Sequence, residues 1–335
     1  IQEQVVCFVY KDIFTGDKFY FWEADKKSTH PHFEWENVLL IPFVAVAEGH
    51  SWLSLLHGRP NNVWDTYVEN ARLYKTMRTG KGALNLLNTA HGYGINETMT
   101  KEHKEEERKV VYENKTYTKE QRERILNYCL EDVELTEKVF LKQIADIEKK
   151  NKLKTEDDYR RELWQIMFRG ASQLNVALVE RNGIPFDNRL VNEFNIYWPK
   201  VKRHLIEKYN KTINVFDEYG VEKNNLFQEM IKRNDLFDKW PRTFKTGELV
   251  KDKKIIAKFT HIKDIRIYQK IKYFINLTEL SMFKPGADGR MRTPFNMFGT
   301  ETGRCTASTS EFVFGGPGWV RNFIKPGWGN WCVYL

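Results

Sequence analysis

Cysteine and long apolar runs are both scarce in this chain of 335 residues. The four cysteines (Cys7, Cys129, Cys305, Cys332) lie far apart and form no CxxC pair. That argues against a zinc or disulfide framework and for reduced thiols in a cytosol-like compartment. No stretch approaches about 18 consecutive apolar residues, so no membrane-spanning helix is expected. The first residues lack the basic-then-apolar pattern of a secretory signal. There is no internal repeat and no low-complexity tract. What is present is ordinary for a globular protein, 41% hydrophobic and 29% charged, on a length that favours two or three domains. Val5 to Tyr10 already reads as a core strand and Trp331 to Leu335 as another. The chain is therefore expected to be a piece of a longer protein.

Charge is unevenly spread. Residues 1–198 carry 28 Lys and Arg against 31 Asp and Glu, whereas residues 199–284 carry 20 against 11. A slightly acidic block is thus followed by one of net +9. A basic block suits a polyanionic partner, and it also suits a solvated lysine-rich helix face. A second feature is Asp288 to Ser308, with three arginines (Arg290, Arg292, Arg304), several hydroxyls and three glycines. Such a segment gains little from burial and is suited to laying guanidinium groups and backbone N–H donors against an anion.

Along the chain, Val5–Tyr10, the turn Thr15-Gly16-Asp17 and Phe19–Trp22 predict a β-hairpin. Val38 to Val46 reads as a buried strand, with Glu48 just past its end. Asp65 precedes a helical pattern and serves equally as an N-cap. Residues 100–124 are rich in charge and read as a solvated loop or helix. Thr118-Lys-Glu-Gln121 is a capping-box pattern opening a long helix through Ile147. Gly183 is placed to end a further helix, Asp187 to cap the next, and 188–238 and 261–283 read as basic helical regions around a turn-rich insert at Trp240 to Gly247. The first 150 or so residues, strands then helices, indicate an α/β or α+β domain.

On the long helix Tyr128 and Asp132 are four residues apart and share a face. A carboxylate there can bind Mg²⁺ and a neighbouring phenol can orient an attacking water. Glu48 is a second candidate metal ligand, with helix capping as its alternative role; His50 reads as a surface or packing histidine rather than a ligand.

In order and spacing, a strand pair, Glu48, Asp65-Thr66 opening a helix, and Asn127-Tyr128-Cys-Leu-Glu-Asp132 resemble a DEDD-type 3′–5′ exonuclease domain, the version fused to family A (polymerase I-like) DNA polymerases. The family's second motif often reads His-Asn-Ala-x-Phe-Asp, or the same with Glu. Here Phe43, Val44 and Ala47 stand at the His, Asn and Phe positions, and only Ala45 and Glu48 match. The first motif, Asp-x-Glu, is not found. Two-metal hydrolysis needs several carboxylates, so with Glu48 and Asp132 alone efficient DNA cleavage is not expected.

Asp288-Gly-Arg290, then Thr302-Gly303-Arg304 and a Ser/Thr-rich run, resembles the start of the family's palm. Arg321-x-x-Ile-Lys325-Pro-x-x-Gly329 resembles the segment leading to the strand, here Trp331–Leu335, whose end carries a metal-binding Asp. Glu180 to Asp187 resembles the segment after the exonuclease domain, and Trp240-Pro-Arg-Thr to Gly247 is similar to phage- and plasmid-type members. The resemblance implies an α/β RNase H-like exonuclease domain (1–155), a mainly α-helical linker and thumb (156–285) and the beginning of an α+β palm (286–335). It implies Tyr128, Asp132 and Glu48 as catalytic residues, the last two as metal ligands. Arg304, with Thr302 and Gly303, is implied at the primer terminus in the minor groove, and Arg290, Arg321 and Lys325 as further DNA contacts. Mg²⁺, primer–template DNA and dNTPs follow as cofactor and partners, for a monomeric polymerase in the cytoplasm of a bacterium or infected host. Polymerisation by these residues alone is not expected, because the palm acids and the fingers lysine are not among them. Two rivals stay open: a stand-alone exonuclease of the RNase D type, which does not account for Thr302-Gly303-Arg304, and a non-catalytic DNA-binding or processivity module.

Overall fold

The chain opens on the expected hairpin. β1 (Cys7–Lys11) and β2 (Lys18–Trp22) pair antiparallel with Cys7 opposite Trp22. The Asp12 carboxylate accepts the N–H groups of Phe14 and Thr15 and so shapes the turn. The computed structural model describes residues 5–22, 34–55, 60–74, 85–96, 100–244, 246–276, 285–296, 299–300, 302–308, 312–315 and 318–326. Its packing falls into two compact units, 1–183 with 292–312, and 184–291 with 313–335. Gly329 and the strand expected at Trp331–Leu335 lie outside the described residues.

In the first unit the apolar run 38–46 is not one strand. Only β3 (Leu39–Leu40) is extended, parallel to β4 (Asn62–Val63), and the chain then turns into α1 (Ala45–Leu55). Pro42 has no N–H with which to continue a ladder. Three residues on, the Asp65 carboxylate accepts the N–H of Ala45 at 2.9 Å and caps the new helix. Glu48 therefore stands in the first turn of a helix rather than past a strand. The other oxygen of Asp65 accepts the N–H of Val68 at 2.9 Å, capping α2 (Thr66–Tyr74). One buried carboxylate thus starts two helices, the capping role that its sequence position allowed.

After α3 (Leu86–Gly92) the charge-rich stretch resolves into α4 (Lys101–Glu113), capped by Thr100. It lacks an apolar stripe and is held to the next helix by ion pairs, Lys104–Asp132 and Arg124–Glu107 among them. That next helix, α5 (Lys119–Asn151), has both halves of the Thr118/Gln121 capping box. It buries Ile125, Leu135, Val139, Phe140 and Ile147. α6 (Glu156–Asn182) begins with a second capping box, Thr155/Asp158, and ends at Gly183 as expected.

The second unit has two cores. In one, β5 (Ile184–Pro185) is followed by Asp187, which caps α7 (Asn188–Ile213) by accepting the N–H of Leu190. In the other, the end of α7, α8 (Asn224–Arg233), α9 (Lys253–Lys258) and α10 (Lys263–Asn276) bury Phe227, Met230, Trp240 and Tyr268. The predicted turn after Trp240 is a narrow bend bridging Arg242 and Leu249, pinned by the Trp240 indole donating to the Val250 carbonyl at 2.8 Å. Burying this apolar stripe leaves the lysines of the basic block outside. β6 (Arg290–Met291) then pairs antiparallel with β5, and Phe186, Val191, Met291, Val313 and Val320 form the first of the two cores.

Residues 292–312 belong to the first unit, where β7 (Phe295–Asn296) and β8 (Thr306–Ala307) form a hairpin. Glu180, late in α6, accepts the N–H of Phe295 at 2.6 Å and pairs with His50 at 2.9 Å. All four sheets among the described residues are two-stranded, and helices carry most of the architecture. Among the described residues no helix is long and apolar enough to cross a membrane.

Candidate functional site

A cleft of about 1560 Å³ opens in the first unit among β1, residues 37–44, α1, α4 and α5. The helix that Asp65 starts delivers Glu48 to it, and the long α5 delivers Asp132. Glu48 is half-buried as a residue, but its Oε2 is shut off from solvent and has no hydrogen-bond partner. Burial, with the nearby carboxylates of Asp65 and Asp132, pushes its pKa up to about 8.

Asp132 is met by a cation of the chain itself. Lys104 Nζ lies 2.5 Å from its Oδ1, and the lysine side chain is only 11% exposed. Arg108, one turn further along α4, also lines the cleft and hydrogen-bonds the Tyr128 phenol. Tyr128 itself faces a smaller neighbouring recess with His103, Glu107 and Arg124. Burial and the charge of Asp132 push its pKa up to about 12, the bond from Arg108 acting in the opposite sense, so the phenol stays neutral. The structure thus brings Glu48 and Asp132 into one cleft, with Tyr128 one turn away on a different opening.

A pair of divalent cations does not fit this donor set as it stands. Two-metal hydrolysis requires several ionised carboxylates facing one space. Here Asp132 is already paired with the Lys104 ammonium. Among the described residues no group of three or more His, Cys, Asp or Glu side chains is gathered to hold a metal ion.

The residues implied as DNA contacts divide between the two units. In the first, Thr302, Gly303 and Arg304 lie just before β8. Gly303 has φ +78°, which favours glycine, and its N–H donates to the Thr300 carbonyl. The Thr300 hydroxyl pairs with that of Thr302 and accepts the N–H of Arg304. Thr302 and Arg304 are exposed. In the second unit Arg290 is half-buried on β6, and Arg321 is exposed with a bond to the Phe314 carbonyl. Lys325 is 67% exposed and sits 3.3 Å from Asp187, the cap of α7.

Sequence reading missed Lys104 and Arg108. Their four-residue spacing puts them on one helix face, the one signal that pointed to them.

No protein-family model and no curated protein sequence matches the chain. Among solved structures it is similar to the POL domain of Pol1 from M. smegmatis in complex with DNA primer-template and dNTP, with a TM-score of 0.50 at 15% identity. The match covers 88% of this chain and 47% of that one, so the chain spans about half the length of the structure it resembles. At this identity the likeness concerns the fold alone, which is similar to part of that domain.

Proposed function

We propose that the chain carries the 3′–5′ exonuclease-like, thumb and first palm portions of a template-directed DNA polymerase of the family A kind, of phage or plasmid type, working on primer–template DNA and dNTPs in replication. The observation that carries this reading is the fold likeness to a polymerase domain. It is supported by the Thr302-Gly303-Arg304 turn and by the net +9 of residues 199–284. In the complete protein Mg²⁺ would supply charge stabilisation for nucleotidyl transfer.

This chain's own residues hold the nucleic acid. The lysines around the α8–α10 core face phosphates and release counterions on binding. Arg304 is exposed on a turn whose backbone is fixed by Thr300. In the minor groove it can donate to the acceptors that every base pair offers, sensing pairing shape without reading sequence. The first-unit cleft, with basic and aromatic side chains around Glu48 and Asp132, receives single-stranded DNA without cutting it efficiently.

The test is fluorescence anisotropy with a primer–template junction and with blunt duplex. Arg304→Ala is expected to weaken junction binding about tenfold, the size of one good groove contact, and to spare blunt duplex. An equal loss on both would contradict the assignment of Arg304 to the primer terminus.

A further inference from the structure

The geometry points to Lys104 as a resident cation that fills the Asp132 site and keeps divalent metal out of it. Four observations converge. Lys104 is a buried lysine whose ammonium lies 2.5 Å from Asp132 Oδ1. It arrives on α4, an element without an apolar stripe that is fastened to α5 by charge pairs, of which this is one; Arg124–Glu107 is another. Glu48 Oε2 is shielded and has no hydrogen-bond partner, so Lys104 reaches Asp132 alone of these two carboxylates. Lys101 and Arg108 line the same cleft, as do Glu105 and Glu137, and of these charged groups it is Lys104 that pairs with Asp132.

The physical consequence is a competition at one carboxylate. A tethered ammonium in a half-enclosed cleft is always at high local concentration. A divalent ion must displace it and shed water as well. This inference rests on the exonuclease-type reading of the cleft. It goes beyond that reading by naming the residue that silences the site and by turning a missing-ligand argument into a removable block.

The test is Mn²⁺ binding to the whole chain, followed by electron paramagnetic resonance, in the wild type, Lys104→Met, Lys104→Arg and Lys104→Met combined with Asp132→Asn. Methionine keeps the aliphatic stem, and circular dichroism melts establish that each variant is folded. The expected result is at least tenfold tighter Mn²⁺ binding in Lys104→Met, absent in the double variant and absent in Lys104→Arg, which keeps the positive charge. Asp132-dependent Mn²⁺ binding by the wild type, as tight as in Lys104→Met, overturns the inference. So does a Lys104→Met variant that gains no Mn²⁺ binding. If Lys104→Met misfolds, Lys104→Gln takes its place with the same expected outcome. Single-stranded DNA binding is measured in parallel. Its loss in the wild type would count against the nucleic-acid reading, while Mn²⁺ binding reports on Lys104 alone.

Discussion

Gly170→Ala is expected to destabilise the first unit by about 3 kcal/mol and lower its melting temperature by roughly 6–12 °C. At an exposed helix position the same change would help, since alanine is a better helix former than glycine by about 1 kcal/mol. Sterics decide otherwise here. A Cβ at Gly170 would lie 2.0 Å from the Val63 carbonyl oxygen and 2.7 Å from its carbon, both backbone atoms of β4. Neither can step aside as a flexible side chain could, so α6 must move off the strand. The displacement carries functional weight because Asp65, two residues after Val63, starts α1 and so sets the position of Glu48. Thermal unfolding of the variant is the measurement; a melting temperature equal to or above the wild type would refute the close packing of α6 on β4.

Asp65→Ala is expected to cost about 3 kcal/mol, because it leaves the buried N–H groups of Ala45 and Val68 without an acceptor. The same carboxylate makes the unit pH-sensitive. Burial raises its pKa from 3.8 to about 7, the two N–H bonds and others opposing that shift. The folded state therefore keeps a proton that the unfolded chain releases near pH 4. The resulting contribution to stability is full below pH 4 and is lost as pH rises through about 7. Urea denaturation at a series of pH values should show the wild type losing stability across this window, and Asp65→Asn losing less. Identical slopes for the two would show that Asp65 does not titrate in this way.

Local signals in the sequence were legible where the chemistry is local. Thr118 and Gln121, three residues apart, announced the start of α5, Gly183 the end of α6 and Asp187 the cap of α7, because each such signal involves residues within one turn. The fate of residues 38–46 was not legible in the same way. An apolar run after Leu39 fits a buried strand, and the acceptor that converts it to a helix, Asp65, lies 20 residues downstream of Ala45. The partner of Asp132 was hidden for the same reason. Lys104 is 28 residues away on a helix with no apolar periodicity, and only folding brings the two together. Among the implied DNA contacts, Lys325 has an internal partner in Asp187 that sequence spacing does not disclose.

The most direct measurement of the account is the salt dependence of primer–template binding. If the basic block holds duplex DNA through about five phosphates, the logarithm of the binding constant should fall with the logarithm of salt concentration with a slope of about −4 to −5. Replacing four phosphate-facing lysines of residues 199–284 with glutamine should bring that slope toward zero by about 3 to 4. Absence of binding at low salt, or a slope near zero in the wild type, would contradict the claim that this chain is the DNA-holding part of a polymerase.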